Sequence, residues 1–137
     1  MIGNVDLEIK VIKRFVDKAK QERYIQFVSS PKNRNKFIND LSHFNFFKED
    51  LFTSINGNKE KLILQILQTL QKNGLNGKTC YVISENPNLD TKTLDIKEAI
   101  TEAIGYGMGT ILVFGEAEMI FFEGETISTR FMSKKIN

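Results

Sequence analysis

The side chains most able to do chemistry in this chain are carboxylates. Glu85 follows a β-prone stretch, Asp90 lies in a polar loop, and Glu116, Glu118, Glu123 and Glu125 flank two glycine-marked reversals. Two or three such groups brought together could hold Mg²⁺ through oxygen ligands and support metal-assisted hydrolysis. Glu85, Glu116 and Glu118 are the catalytic candidates on this reading. A nuclease pattern of the Asp…Glu-x-Lys type fails, because Ala117-Glu118 follows Glu116 and Gly124-Glu125 follows Glu123. The alternative is a set of solvated turn residues, since exposed carboxylates are ordinary.

His43 is the only histidine and Cys80 the only cysteine, so no zinc spacing exists and no metal or cofactor is implied. Asp40 and His43 fall on one helix face, which allows an Asp–His pair. A catalytic triad would also need a nucleophile. No Gly-x-Ser-x-Gly elbow is present, and Cys80 sits inside an apolar strand, which makes it a buried, unreactive thiol. The alternative for His43 is a helix-end side chain facing the last carbonyls.

Gly105-Tyr-Gly-Met-Gly109 invites comparison with a phosphate loop. Its direction is wrong. A phosphate loop leaves a strand and opens a helix, whose N-terminus faces the anion. Here the glycines leave a helix and enter a strand. They read as a C-cap and tight turn, with Gly105 as the residue at positive φ.

Lys32, Lys36, Asn39 and His43 recur at helical steps, with Arg34 beside them, and Lys10, Lys13, Arg14 and Lys20 extend the patch. Such a row suits an anionic partner, either a protein or the phosphates of a nucleic acid. No helix-turn-helix, RNA-binding aromatic motif or zinc finger accompanies it. The alternative is a solvated helix face.

These residues must be positioned by helices first and strands after. Val5, Ile9, Ile12, Val16 and Ala19 recur at three- and four-residue steps, which predicts one long helix over Val5–Val28 with a bend near Lys20–Glu22. Ser30-Pro31 opens a second helix, Pro31 to about His43, which buries Phe37, Ile38, Leu41 and Phe44. The segment from Asn45 to Ile55 reads as a short helical turn capping the core with Phe46, Phe47, Leu51 and Phe52. Lys59–Lys72 is the third long helix, closed by Gly74 in a left-handed conformation. Thr79–Ser84 is a strand apolar on both faces and so interior. A polar loop follows, and Asp95 with Glu98 caps another helix. Strands are expected near Thr110–Phe114, Met119–Phe122 and Thr126–Met132, the last at an edge.

The expected architecture is one α+β domain spanning 1–137. Three long helices and one short one, about 5–73, pack on a β-α-β-β-β unit, about 79–132, that forms a four-stranded mixed sheet, with a tail at 133–137. Composition fits a globular chain, at 41% hydrophobic and 26% charged. No apolar run approaches the ~18 residues of a membrane span, and no secretory signal is visible. One cysteine fits a reducing compartment, the cytoplasm. The excess of lysine over arginine is that of an AT-rich bacterial coding sequence. Residues 1–75 carry 13 Lys/Arg against 8 Asp/Glu, and residues 76–137 carry 6 against 9, so the first half would attract anions.

Two segments carry a resemblance. Lys32-Asn-Arg-Asn-Lys-Phe-Ile-Asn-Asp-Leu-Ser-His-Phe44 and Val82-Ile-Ser-Glu…Asp90…Glu98-Ala…Gly105-Tyr-Gly-Met-Gly-Thr-Ile-Leu…Phe122-Glu-Gly-Glu125 resemble small uncharacterised bacterial proteins with no assigned activity. The resemblance covers most of residues 30–130. It implies a shared fold and surface, and it carries over no catalytic residue. Three functions follow from the residues themselves. First is a non-enzymatic cytoplasmic module binding a protein partner through Lys32, Arg34, Lys36, Asn39 and His43. The alternatives are a nucleic-acid or other polyanion binder using the same face, and the carboxylate-based hydrolase.

Overall fold

The computed structural model describes residues 3–42, 45–126 and 128–136. Five helices, α1 (Val5–Phe15), α2 (Lys18–Val28), α3 (Arg34–Ile38), α4 (Lys59–Lys72) and α5 (Ile96–Ala103), enclose six strands. The strands are β1 (Phe52–Ser54), β2 (Thr79–Ser84), β3 (Thr93–Asp95), β4 (Thr110–Phe114), β5 (Met119–Glu123) and β6 (Arg130–Ser133). They form one sheet in the order β1-β6-β5-β4-β2-β3. Every neighbouring pair is antiparallel. The expected four-stranded mixed sheet is therefore wrong in number and in direction. Two short polar strands, β1 and β3, carry no apolar alternation, yet they complete the edges.

Three of the four interior strands read as expected. β2, β4 and β5 are buried almost throughout because both faces are covered. Tyr81, Ile83, Ile111, Val113, Ile120 and Phe122 face α1, α2 and α3, with Phe46 and Phe47 filling the same layer. Cys80, Val82, Leu112, Phe114, Phe121 and Met132 face α4 and α5. The result is a sheet between two helical layers.

The helical layer departs from expectation in three places. The single long helix is two helices of 11 residues each, and the break lies at Val16–Asp17. Val16 is extended and bridges Phe47, while the Asp17 and Lys48 amides donate to Phe46 and Phe15. Cross-chain pairing there outweighs local helix propensity. The helix expected from Pro31 shrinks to five residues, flanked by turns. Asn33, Asn35 and Asn39 are weak helix formers, and no side chain caps its start. The expected turn over residues 45–55 holds only a 3₁₀ turn at Glu49–Leu51 before β1. β1 then pairs outside β6, so β6 is not an edge.

Helix closures follow the sequence closely. Leu75 donates to the Leu70 carbonyl and Gly74 to the Gln71 carbonyl, with Gly74 at φ +79. This is the paired closure that only glycine enters without cost. Asn4, Asn58 and Asp95 cap α1, α4 and α5 with side-chain oxygens.

Candidate functional site

The exposed cationic surface is built by α2 and α3 together. Lys32, Lys36 and Asn39 are exposed on and beside α3, as the spacing predicts. His43, and Phe44 of the expected buried set, lie outside the described residues. Lys36 from α3 and Arg23 from α2 converge on one ring: Lys36 Nζ lies 5.6 Å and Arg23 Cζ 5.5 Å from the centroid of Phe27. Neither enters a salt bridge among the described residues. Each cation–ring contact at an exposed site contributes about 0.5–1 kcal/mol, enough to bias rotamers without consuming the charge. Beside them lies a hollow of about 200 Å³, lined by Lys20, Arg23, Tyr24, Asp40 and Asn45. Asp40 accepts a 2.9 Å hydrogen bond from the Tyr24 hydroxyl. Burial, aided by Asp40, holds that phenol above its ordinary pKa. Asp40 is thus a partner of Tyr24.

Arg34 departs from the expected row. Its side chain is 17% exposed and turned inward. Nε and Nη2 reach the two Glu8 oxygens at 2.9 and 2.7 Å, while Nη1 and Nη2 reach the two Asp90 oxygens at 2.5 and 3.0 Å. Glu8 is fully buried and also accepts from the Tyr81 hydroxyl at 2.6 Å. Asp90 also accepts from the Ser84 amide. Burial works against the guanidinium charge, but hydrogen bonds to Asp90 and Glu8 outweigh it and hold the pKa above its ordinary value. Buried charge of this kind is sustained only when every polar atom is paired. Arg34 is a clasp between α3, α1 and the loop after β2, and not a free surface cation.

The candidate carboxylates do not converge. Glu85 lies beside Gly109 at the start of β4, accepting its amide at 2.5 Å. Glu116 and Glu118 lie past the other end of β4, in the turn to β5. Glu116 is exposed and pairs with Lys10 at 3.0 Å, and Arg14 donates to the Glu116 and Ala117 carbonyls. Glu118 accepts from the Glu116 amide. Glu123 is buried against Arg130 and takes the Gly105 amide at 3.0 Å. Among the described residues, no group of three or more His, Cys, Asp or Glu could hold a metal ion.

The glycine run is held at both ends by these acids. Gly105 stands at φ +93 and Gly107 at φ +69, which supports the helix-exit turn. The two terminal amides that a phosphate loop would offer to a ligand are occupied by Glu123 and Glu85. The run instead presents Tyr106, 57% exposed, and Met108, 39% exposed, with Lys59 over the Tyr106 ring. Cys80 is 3% exposed, as its strand position predicts, and burial pushes its thiol up to about 12.

Arg23 and Phe27 are the functional candidates that sequence reasoning missed. Their i, i+4 spacing on α2 was a readable signal. The partnership with Lys36 was not, because it depends on how α3 docks. No helix among the described residues is long and apolar enough to cross a membrane. Comparison with protein-family models, with curated proteins and with solved structures finds no match to this chain.

Proposed function

We propose that this protein is a non-enzymatic binding module of the bacterial cytoplasm that holds an acidic segment of a partner protein on its α2–α3 face. One observation carries the reading. Two cations from different helices, Arg23 and Lys36, neither in a salt bridge among the described residues, meet over the half-buried Phe27. An apolar centre ringed by cations fits a segment that offers carboxylates around an apolar contact. Exposed Lys32 and Asn39 extend the rim. Dispersal of Glu85, Glu116 and Glu118 supports a binding role over hydrolysis.

A protein segment fits this face better than a nucleic-acid backbone. Asp40 is exposed and lines the same hollow as Lys20 and Arg23, and Asp17 opens α2. A phosphate backbone presents uniform negative charge and would meet these acids. A peptide places its charges individually. The test is fluorescence anisotropy with two probes: a labelled peptide with acidic residues around one aromatic, and a labelled oligothymidylate. The expected result is peptide binding with a shallow salt slope, weakened at least 10-fold by the double substitution Arg23→Glu/Lys36→Glu. Oligonucleotide binding with a steep salt slope would replace the protein reading with the nucleic-acid one. Peptide binding that survives the double substitution would remove this face from the function.

A further inference from the structure

We infer that Arg34 is a positioning residue for this face, a part-buried clasp that sets where α3 carries Lys36 and Asn39. The inference rests on the binding reading for its consequence, and on geometry alone for the clasp itself. α3 has five residues, too few for its own hydrogen bonds to hold it in place. Its start has no side-chain cap. Besides the part-buried Ile38, which packs against the same core, two side chains anchor it to the rest of the molecule: fully buried Phe37 and the inward-turned Arg34.

The two anchors do different work. Phe37 packs edge-on to Tyr24 and Phe46, with ring centroids 5.1 and 6.3 Å away. Apolar packing of this kind is non-directional and holds depth more than rotation. The Arg34 fork is directional. Four hydrogen bonds run to two carboxylates on separate elements, Glu8 of α1 and Asp90 of the loop after β2. Both acids are fixed from behind, Glu8 by the Tyr81 hydroxyl and Asp90 by the Ser84 amide. A planar group held from two directions defines the rotation of its helix. Lys36 lies two residues on, so that rotation decides whether its ammonium reaches Phe27 beside Arg23.

Lysine cannot reproduce this clasp. Its ammonium is a single point charge and cannot pair both carboxylates through parallel bonds. Arg34→Lys therefore keeps the net charge of the chain and its long-range attraction for anions, but releases the helix. The expected signature is a faster dissociation rate with the association rate little changed, because association follows charge and dissociation follows fit.

The test uses the full chain and the acidic peptide probe. Amide hydrogen exchange is followed over α3 and, as an internal reference, over α4. In Arg34→Lys, the α3 amides should exchange at least 10-fold faster while α4 is unchanged, and peptide dissociation should accelerate about 10-fold. Asp90→Asn, which changes no residue of α3, should act in the same direction. Leu70→Ala loosens the opposite side of the sheet and controls for general destabilisation. It should leave peptide dissociation unchanged. Equal loss of binding in Leu70→Ala and Arg34→Lys would overturn the inference, as would unchanged α3 exchange in Arg34→Lys. Faster α3 exchange in a protein whose wild type binds no acidic peptide would support the clasp and refute the binding reading instead. Should Arg34→Lys fail to fold, Asp90→Asn alone carries the same two readouts.

Discussion

Replacing Gly109 with alanine should be among the most damaging single-methyl changes available in this chain. Gly109 is buried at the entry to β4, where the backbone passes the end of the segment after α3. A Cβ there would sit 2.2 Å from both the carbonyl carbon and oxygen of Leu41, and 2.6 Å from the Ser42 nitrogen. All three are backbone atoms, so no rotamer change relieves the contact. Ordinary contact begins near 3.4 Å, so one backbone must retreat by more than 1 Å. Overpacking of this kind costs about 1–3 kcal/mol. The retreat also strains two bonds that hold the turn, Gly109 N–H to Glu85 and Glu85 N–H to the Gly109 carbonyl. At roughly 0.5 kcal/mol for each bond weakened, the total is about 2–4 kcal/mol.

For a chain of this size, such a loss lowers Tm by about 8–15 °C. Urea unfolding followed by circular dichroism, with calorimetry on the same samples, measures it. Gly105→Ala is the matched comparison. Its Cβ would meet nothing nearer than Lys59 Cε at 4.0 Å, so its cost is conformational, from φ +93, and is on the order of 1 kcal/mol. If Gly109→Ala lay within 0.5 kcal/mol of wild type, or was milder than Gly105→Ala, the close approach to Leu41 would be wrong.

Other consequences are as direct. Native Cys80 should label with a thiol reagent far more slowly than the urea-unfolded chain, since its 3% exposure and raised pKa both deny thiolate to the reagent; equal rates would place β2 at the surface. Because its folded pKa rises from about 9.0 to about 12, the native thiol holds its proton where the unfolded one releases it. Its contribution is complete below about pH 9 and is lost as pH rises towards 12, so the urea midpoint should fall between pH 8 and 10 less steeply in Cys80→Ala than in wild type. Glu8→Ala leaves Arg34 held by Asp90 alone and the Tyr81 hydroxyl without its acceptor, and the expected loss is about 1–3 kcal/mol by chemical denaturation; a loss below 1 kcal/mol would mean that water replaces Glu8 freely. Lys32→Glu with Lys36→Glu should lower stability by no more than about 1 kcal/mol, because both side chains are exposed and Lys36 gives up only its ring contact; a larger loss would show that they hold the fold.

Local physics made part of this protein legible from its sequence. β2, β4 and β5 announce themselves because burial on both faces demands unbroken apolar runs, and Cys80 inherits its burial from that pattern. Asp95, Gly74 and Gly105 announce helix ends because caps depend on neighbours within a few residues. The exposure of Lys32, Lys36 and Asn39 was also readable, since charge and amide rarely go inside unpaired.

What the tertiary structure decided depends on residues far apart in the chain. β1 and β3 are polar edge strands whose only signal is the partner they pair with, so the sheet grew from four strands to six and became antiparallel. The break at Val16 exists because Phe47 lies alongside it. Arg34 looked like the middle of a cationic row, yet Glu8 stands 26 residues before it and Asp90 56 residues after it. Nothing local distinguishes a lysine-like surface arginine from one that two distant carboxylates will turn inward. The convergence of Arg23 and Lys36 on Phe27, and the separation of Glu85 from Glu116 and Glu118, are likewise properties of packing. Spacing sets which side chains share an element, and only the docking of elements sets which of them meet.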